Sequence, residues 1–460
     1  MKEVKISKET SVVKTFLQYT IPCIITMFLT SFIVIVDGFF IGWKVGEHGL
    51  AAVNFTLPIL YLLLAVTLLL GVGGVTLATQ SRGARQTERA NYFFTLSLTA
   101  VALVNVVLVS CLAAFLDEVV LALGASGITK QYALEFLGVL QYFYLFIMLN
   151  MAFSMFIRAE GKPQLALLFG VAGNILNIVL DYWFVVGLDW GMRGAAMASG
   201  LAVLLPFIVG LAYFVRRKSA YCFCKCQVKW VDLKNIALNG TAEFIAQISV
   251  SLTTFLYNIV LLERLGVNGV AALTVIGYVL FLHSMVITGI AIGVHPLISY
   301  HFGARNREKI NAFLAMAVKA VILVGGVLGS LSFVAAEAII GLFANGNEEL
   351  IQIGQLGLRW FSTAFILTGY NIIATVFFTS IGQAKTAAAI SVLRSLALVA
   401  LFILLLPRLL GELGIWITMP LTEAITLVIA YRLLQRCRER AYGLFASEQQ
   451  VGKAGGQELI

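Results

Sequence analysis

Two aspartates, Asp37 and Asp181, stand within long apolar stretches of this 460-residue chain. A carboxylate in hydrocarbon costs roughly 2.5 to 3.5 kcal/mol even on a permissive insertion scale, so each needs a reason to be there. Asp37 follows Phe16 by about 21 residues and Asp181 follows Gln164 by about 17. At ~1.5 Å of helical rise per residue, both acids reach about 25 to 30 Å from the side on which their segments begin. Asn174, Asn177 and Asp181 recur at spacings of three and four, which puts them on one helical face. Ser199 lies a few residues into the next segment, which runs the opposite way and comes to a matching depth. Carboxylates, amide oxygens and a hydroxyl gathered in a low-dielectric pocket suit a proton or Na+. Two neighbouring acids there would not both stay charged, so taking up a proton could switch the pocket. The competing reading makes both acids helix-end residues that belong to loops; their shared depth and the asparagine face argue against it.

Other polar residues in apolar segments admit two readings each. Pro22, fifteen residues before Asp37, removes a helical hydrogen bond and permits a bend; it is either a switching point or a packing kink. Glu243, Gln247, His295 and Asn371 come to similar depth in the second half of the chain. They form either a proton-responsive cluster or a satisfied structural network. Arg394 and Glu423 are expected to make a structural ion pair, because unpaired charges there would be costly. Lys319 and Arg359 have no such evident partner, and Lys319 could snorkel to a phosphate. Cys222, Cys224 and Cys226 sit in a basic loop without a second cysteine pair or nearby histidines, so free or acylated thiols fit better than a metal site.

The elements that must carry these residues follow from composition. With 60% hydrophobic and 12% charged residues, and apolar runs of about 20 recurring along the chain, it reads as an all-α polytopic membrane protein. Continuous apolar runs exclude a β-barrel, whose strands alternate. Twelve transmembrane helices are expected, near 15–39, 50–79, 91–115, 132–157, 164–186, 194–215, 236–262, 270–300, 310–333, 351–380, 386–407 and 413–434. The stretch from Gly46 to Glu88 reappears 220 residues later as Gly266 to Glu308, with thirteen of 43 positions identical, including Gly83-Ala84-Arg85 against Gly303-Ala304-Arg305. A duplication at that spacing splits the chain into two six-helix bundles related by a pseudo-two-fold axis along the membrane normal. The expected units are an N-terminal bundle at 1–215, a cytoplasmic linker at 216–235, a C-terminal bundle at 236–440 and a polar, disordered tail at 441–460. Most Lys and Arg fall at the termini and even-numbered loops; only Lys44, Lys130, Arg193, Arg264 and Arg408 fall in the opposite loops. Both termini should therefore be cytoplasmic. The net charge of +9 is spread over short loops, which fits contact with anionic lipid and not nucleic acid.

The V-D-G-F-F-I-G segment around Asp37, the G-N-I-L-N-I-V-L-D face around Asp181 and G-V-H-P-L-I-S-Y-H-F-G-A in the second half resemble the multidrug and toxic compound extrusion (MATE) transporters over roughly 15 to 436. That resemblance implies a V-shaped pair of bundles around a central cavity, with export of amphipathic, cationic and aromatic drugs driven by inward H+ or Na+. It assigns the helix bend to Pro22 and the coupling ion to Asp37, Asn177 and Asp181, the Na+ ligands if sodium is used. Ser199 stands where the family often has Thr, and Asn150 is a further contributor. His295 stands where Gln is expected, which leaves its role open. The expected protein is a monomeric secondary antiporter of the bacterial cell membrane, not an enzyme, with small-molecule substrates, surrounding lipid and no cofactor beyond the coupling ion. No G-x-x-x-x-G-K-[ST] loop for direct ATP use is present. A lipid-linked precursor flippase of similar architecture is the alternative; it should line the cavity with basic residues, whereas the first-half interior is acidic and amide-rich.

Overall fold

The computed structural model describes residues 12–454 apart from 217, 218, 226 and 345, with side chains through residue 437. All regular structure among the described residues is helical. In lipid no water satisfies the backbone, so each apolar run closes its own hydrogen bonds as a helix. The first half comprises α1 (Val12–Lys44), α2 (Glu47–Gly83), α3 (Thr87–Ala114), a short α4 (Leu116–Ala122), α5 (Gly127–Ala159), α6 (Pro163–Asp181) extended by a π-helical stretch (Tyr182–Gly187), and α7 (Gly191–Val215). The second comprises α8 (Trp230–Gly303), α9 (Arg307–Val334), a short α10 (Ala336–Ala344), α11 (Glu348–Thr363), α12 (Phe365–Ser380), α13 (Ala384–Val392) with a π-helical stretch (Leu393–Ala397), α14 (Leu398–Leu410) and α15 (Glu412–Ala454).

At 74 residues, α8 would reach about 110 Å as one rod, far beyond a bilayer. It breaks instead at Gly266 (φ 60°, ψ −154°), a backbone region essentially reserved for glycine. Its repeat partner Gly46 takes nearly the same conformation (φ 86°, ψ −165°) between α1 and α2. α8 therefore spans twice, and α11 and α12, meeting at a 44° bend, span once together; with the other long helices this gives twelve spans. The expected continuous span at 351–380 is thus broken at Ala364, and α8 starts at Trp230, within the stretch assigned to the linker. α15 carries helix to Ala454, into the expected tail, whose residues 455–460 lie outside the described ones.

The duplication extends to the backbone. α3 and α9, and α4 and α10, start 220 positions apart, and the α2–α3 and α8–α9 turns place Arg85 (φ 61°) and Arg305 (φ 54°) in the same left-handed conformation. The halves meet at the end that bears the basic loops. A β-carbon on Gly83 would lie 2.0 Å from the Tyr300 carbonyl oxygen, and one on Gly303 would lie 1.9 Å from that of Gln80. One on Gly73 would lie 1.9 Å from the Ile236 oxygen, while its repeat partner Gly293 presses on the backbone of Thr20. Only glycine allows helix backbones so close. A hydrogen bond between Thr76 Oγ1 and His295 Nε2 (3.0 Å) and one from Gln80 Nε2 to the Ser380 carbonyl (2.8 Å) close the same seam. α1 belongs to both halves: its Phe16 is buried in the second half's core beside Ile290, Val294 and Phe313.

Candidate functional site

α1, α6 and α7 bring Asp37, Asp181 and Ser199 together: the side chains of Asp181 and Ser199 are both within hydrogen-bonding reach of Asp37. Asn177, one turn before Asp181 on α6, donates its Nδ2 to Asp181 Oδ2 at 3.1 Å. Asp181 and Asn177 are 1% and 5% exposed, so this face is withdrawn from the surroundings. The Oδ1 atoms of Asp37 and Asp181 are both buried without a hydrogen-bond partner. Two unfilled carboxyl oxygens beside a hydroxyl are acceptor-rich, and acceptors left bare in a dry pocket favour a proton or a small hard cation. A second charge on so close a pair is disfavoured, so one proton can be shared between the acids. Asn174 is half-buried and joins the pair through no hydrogen bond among the described residues. Asn150, nine residues from the end of α5, lies about 13 Å nearer the basic-loop end than Asp181 by helical rise, and no hydrogen bond links it to the acids.

Local backbone sharpens the site. α6 passes into a π-helical stretch at Tyr182, immediately after Asp181, and the equivalent helix does so at Leu393, beside Arg394. A π stretch widens a helix by one residue per turn and is frequent at functional positions. No local pattern in the sequence signals it. Pro22 lies within α1, which remains helical on both sides of it.

The second half does not repeat the acid pair. Tyr257 occupies the position equivalent to Asp37 and is buried against Phe361. The polar residues expected to cluster divide: Asn371 and Glu243 join the Arg394–Glu423 pair, and His295 bonds elsewhere. His295 bonds across the seam to Thr76, and its carbonyl accepts from Ser380 Oγ at 3.3 Å. Asn371 donates to Glu423 Oε2 at 2.6 Å and to the Glu423 carbonyl at 2.9 Å. Arg394 Nε pairs with Glu423 at 3.0 and 3.3 Å, the ion pair read from the sequence, with the Glu423 side chain 3% exposed. Glu243 is half-buried and feels the Arg394 charge, so it joins this group and not His295. Gln247 makes no hydrogen bond among the described residues. Arg359 stacks over Phe333, and Lys319 is exposed on α9.

Sequence reasoning missed a polar hub at the basic-loop end. Glu160, 3% exposed, accepts from Tyr213 Oη and Ser219 Oγ, from the Ala220 amide at 2.9 Å, and pairs with Lys162 at 3.2 Å. It fastens the inter-half linker to the first half. Tyr221 is fully buried there, stacked on Phe94 and covered by the Arg82 guanidinium at 5.0 Å. The Cys222 and Cys224 amides are held by Asn91 and Thr95, and both thiols are free; Cys226 lies outside the described residues. These contacts join residues about 50 to 140 positions apart, which no local pattern announces.

A profile of the MatE family matches the chain twice, at residues 22–183 and 243–404, at equivalent places in the two halves. The chain belongs to the MatE family. Among curated relatives, it is 23% identical over 435 residues to the multidrug export protein MepA of Staphylococcus haemolyticus, covering 94% of this chain and 95% of that one. Among solved structures, it is similar to a MATE in the bent conformation, with a TM-score of 0.86 and 25% identity over 95% of this chain and 97% of that one. A transporter of the MOP superfamily from Pyrococcus furiosus, described as having a binding pocket of reverse polarity, shares the fold at a TM-score of 0.86 and 24% identity, over 94% and 97% of the two chains. MatE membership fits a twelve-span transporter of two six-helix lobes, with the first match starting at Pro22 and ending just past Asp181.

Proposed function

We propose that this MatE protein is a secondary antiporter of the bacterial cell membrane that exports amphipathic, cationic drugs in exchange for H+ or Na+. The observation that carries the reading is the buried contact between Asp37 and Asp181, each with one carboxyl oxygen unsatisfied. Neutralising the pair, by a proton or by Na+ held between Asp37, Asn177 and Asp181, favours one orientation of the two lobes; drug binding favours the other. Exchange follows because each ligand binds the two orientations with different affinity. The seam at Gly83 and Gly303 is the part that must open when the lobes rock. The relation to MepA, a multidrug export protein, supports drugs as the substrate class. The basic loops and both termini face the cytoplasm in this reading, and the monomer is the working unit.

The test is efflux of ethidium from proteoliposomes under an imposed H+ or Na+ gradient, one gradient at a time. Asp37→Asn and Asp181→Asn are each expected to abolish gradient-driven efflux while leaving the amount and thermal midpoint of purified protein unchanged. Wild-type efflux in both variants refutes the assignment.

A further inference from the structure

α1 is gripped from two sides. Toward its far end, Asp37 meets Asp181 and Ser199 of the first half. Toward its start, Phe16 is buried in the second half's core, and Thr20 and Ile24 pack on Gly293 and Gly289 of α8. Pro22 lies between Thr20 and Ile24, within the stretch that packs on α8. Proline has no N–H, so the carbonyl four residues earlier, that of Gln18, loses its helical donor. A bare carbonyl in hydrocarbon is costly, and Gln18 is exposed on α1. The missing donor comes from α6: Gln164 Nε2 donates to the Gln18 carbonyl at 3.0 Å. Gln164 and Asp181 stand near opposite ends of α6, so one helix of the first half holds α1 both before and after the proline.

We propose that Gln164 is a positioning residue for transport, supplying from α6 the hydrogen bond that Pro22 removes, so that its release frees the start of α1, with Phe16, to stay with the second half as the lobes part. The inference rests on the rocking-antiporter reading. When the lobes separate, α1 cannot follow both without bending or surrendering one attachment, and the Gln164 bond is a single, exposed hydrogen bond. Phe16, Thr20 and Ile24 meet the buried core and backbone of the second half, and the Tyr19 hydroxyl lies close to Gly161 of the first. Gln164 acts through the Gln18 carbonyl and touches neither acid.

The chemistry permits a double-mutant cycle. Gln164→Met and Gln164→Glu keep the length of the side chain and lose its donor; Gln164→Lys restores a donor. Pro22→Ala gives the Gln18 carbonyl a helical N–H of its own and should make Gln164 dispensable. Ethidium efflux in proteoliposomes is expected to fall roughly 2- to 10-fold in Gln164→Met and Gln164→Glu, the size of one hydrogen bond. It should recover to within about 2-fold in Gln164→Lys, and Gln164→Met should add nothing to Pro22→Ala. A spin-label distance between Lys14→Cys on α1 and Leu168→Cys on α6, with native cysteines replaced, gives a second readout that needs no gradient. Its distribution should broaden in Gln164→Met and narrow again with Pro22→Ala. No change in Gln164→Met by either readout overturns the proposal, and so does an effect of equal size with and without Pro22→Ala. If Asp37→Asn and Asp181→Asn retain efflux, the coupling reading fails while the distance cycle still decides the role of Gln164.

Discussion

Adding one methyl group at Gly83 should pry open the basic-loop end of this protein. The β-carbon of Gly83→Ala would sit 2.0 Å from the Tyr300 carbonyl oxygen, where an ordinary contact is 3.4 Å or more. α2 and α8 must part by about 1.4 Å, since the obstacle is backbone and cannot turn aside. Overpacking of this kind costs typically 1 to 3 kcal/mol. Charged to the closed state alone, that shifts the balance of closed and open seams by roughly 5- to 150-fold. The assay is the rate at which a membrane-impermeant maleimide, applied from the basic-loop side, labels Ser299→Cys, a fully buried residue four positions before Gly303. Gly83→Ala should speed labelling by that factor. Gly303→Ala should match it, because its β-carbon meets the Gln80 oxygen at 1.9 Å across the same crossing. The double variant should exceed either by less than the product, because one separation relieves both clashes. Gly277→Ala, which meets nothing within 4 Å, is the control. If Gly83→Ala labels no faster than Gly277→Ala, the seam is not a closed gate held by backbone contact.

Arg394→Met should lower the thermal midpoint by the equivalent of about 3 to 5 kcal/mol, because it leaves Glu423 buried and charged with, among the described residues, Asn371 alone to support it. Adding Glu423→Gln should recover much of the loss, and a double variant no more stable than Arg394→Met contradicts this. Tyr221→Ala should remove a fully buried ring at a cost of about 3 to 5 kcal/mol, by analogy with other large aromatics, and loosen the linker. Trypsin cleavage at Lys225 and Lys229 should accelerate in Tyr221→Ala and in Glu160→Gln; unchanged cleavage would mean that neither residue fastens the linker.

Helix positions were readable from the sequence because a membrane leaves a chain few alternatives, and the Gly46 and Gly266 breaks were readable because a duplication repeats its glycines in register. Counting residues from the helix starts brings Asp37 and Asp181 to one depth, since straight helices rise uniformly, and the structure sets the two side by side. The same counting joined His295 to Glu243 and Gln247, and there the structure differs. Depth fixes one coordinate and says nothing of which face a residue turns; His295 bonds to Thr76 across the seam, while Glu243 lies near enough to Arg394 to feel its charge. Glu160 drew no notice because a carboxylate in a short loop looks solvated until Tyr213, Ser219 and Ala220 are folded over it. The α6 π-helical stretch and the seat of Phe16 in the opposite half were out of reach for the same reason: tertiary contacts set both.

The docking of Tyr221 bears on how far the two lobes can travel. Because the chain is moored to the first lobe through Cys224 and enters α8 at Trp230, only five residues lie between the mooring and the second lobe. Fully drawn out, the six steps from Cys224 to Trp230 reach about 20 Å. Tyr92 shortens even that slack by donating its hydroxyl to Asp232 in the first turn of α8 at 3.0 Å. If the lobes rock as proposed, this connection is a leash, and its covalent length sets a ceiling on their stroke at that end.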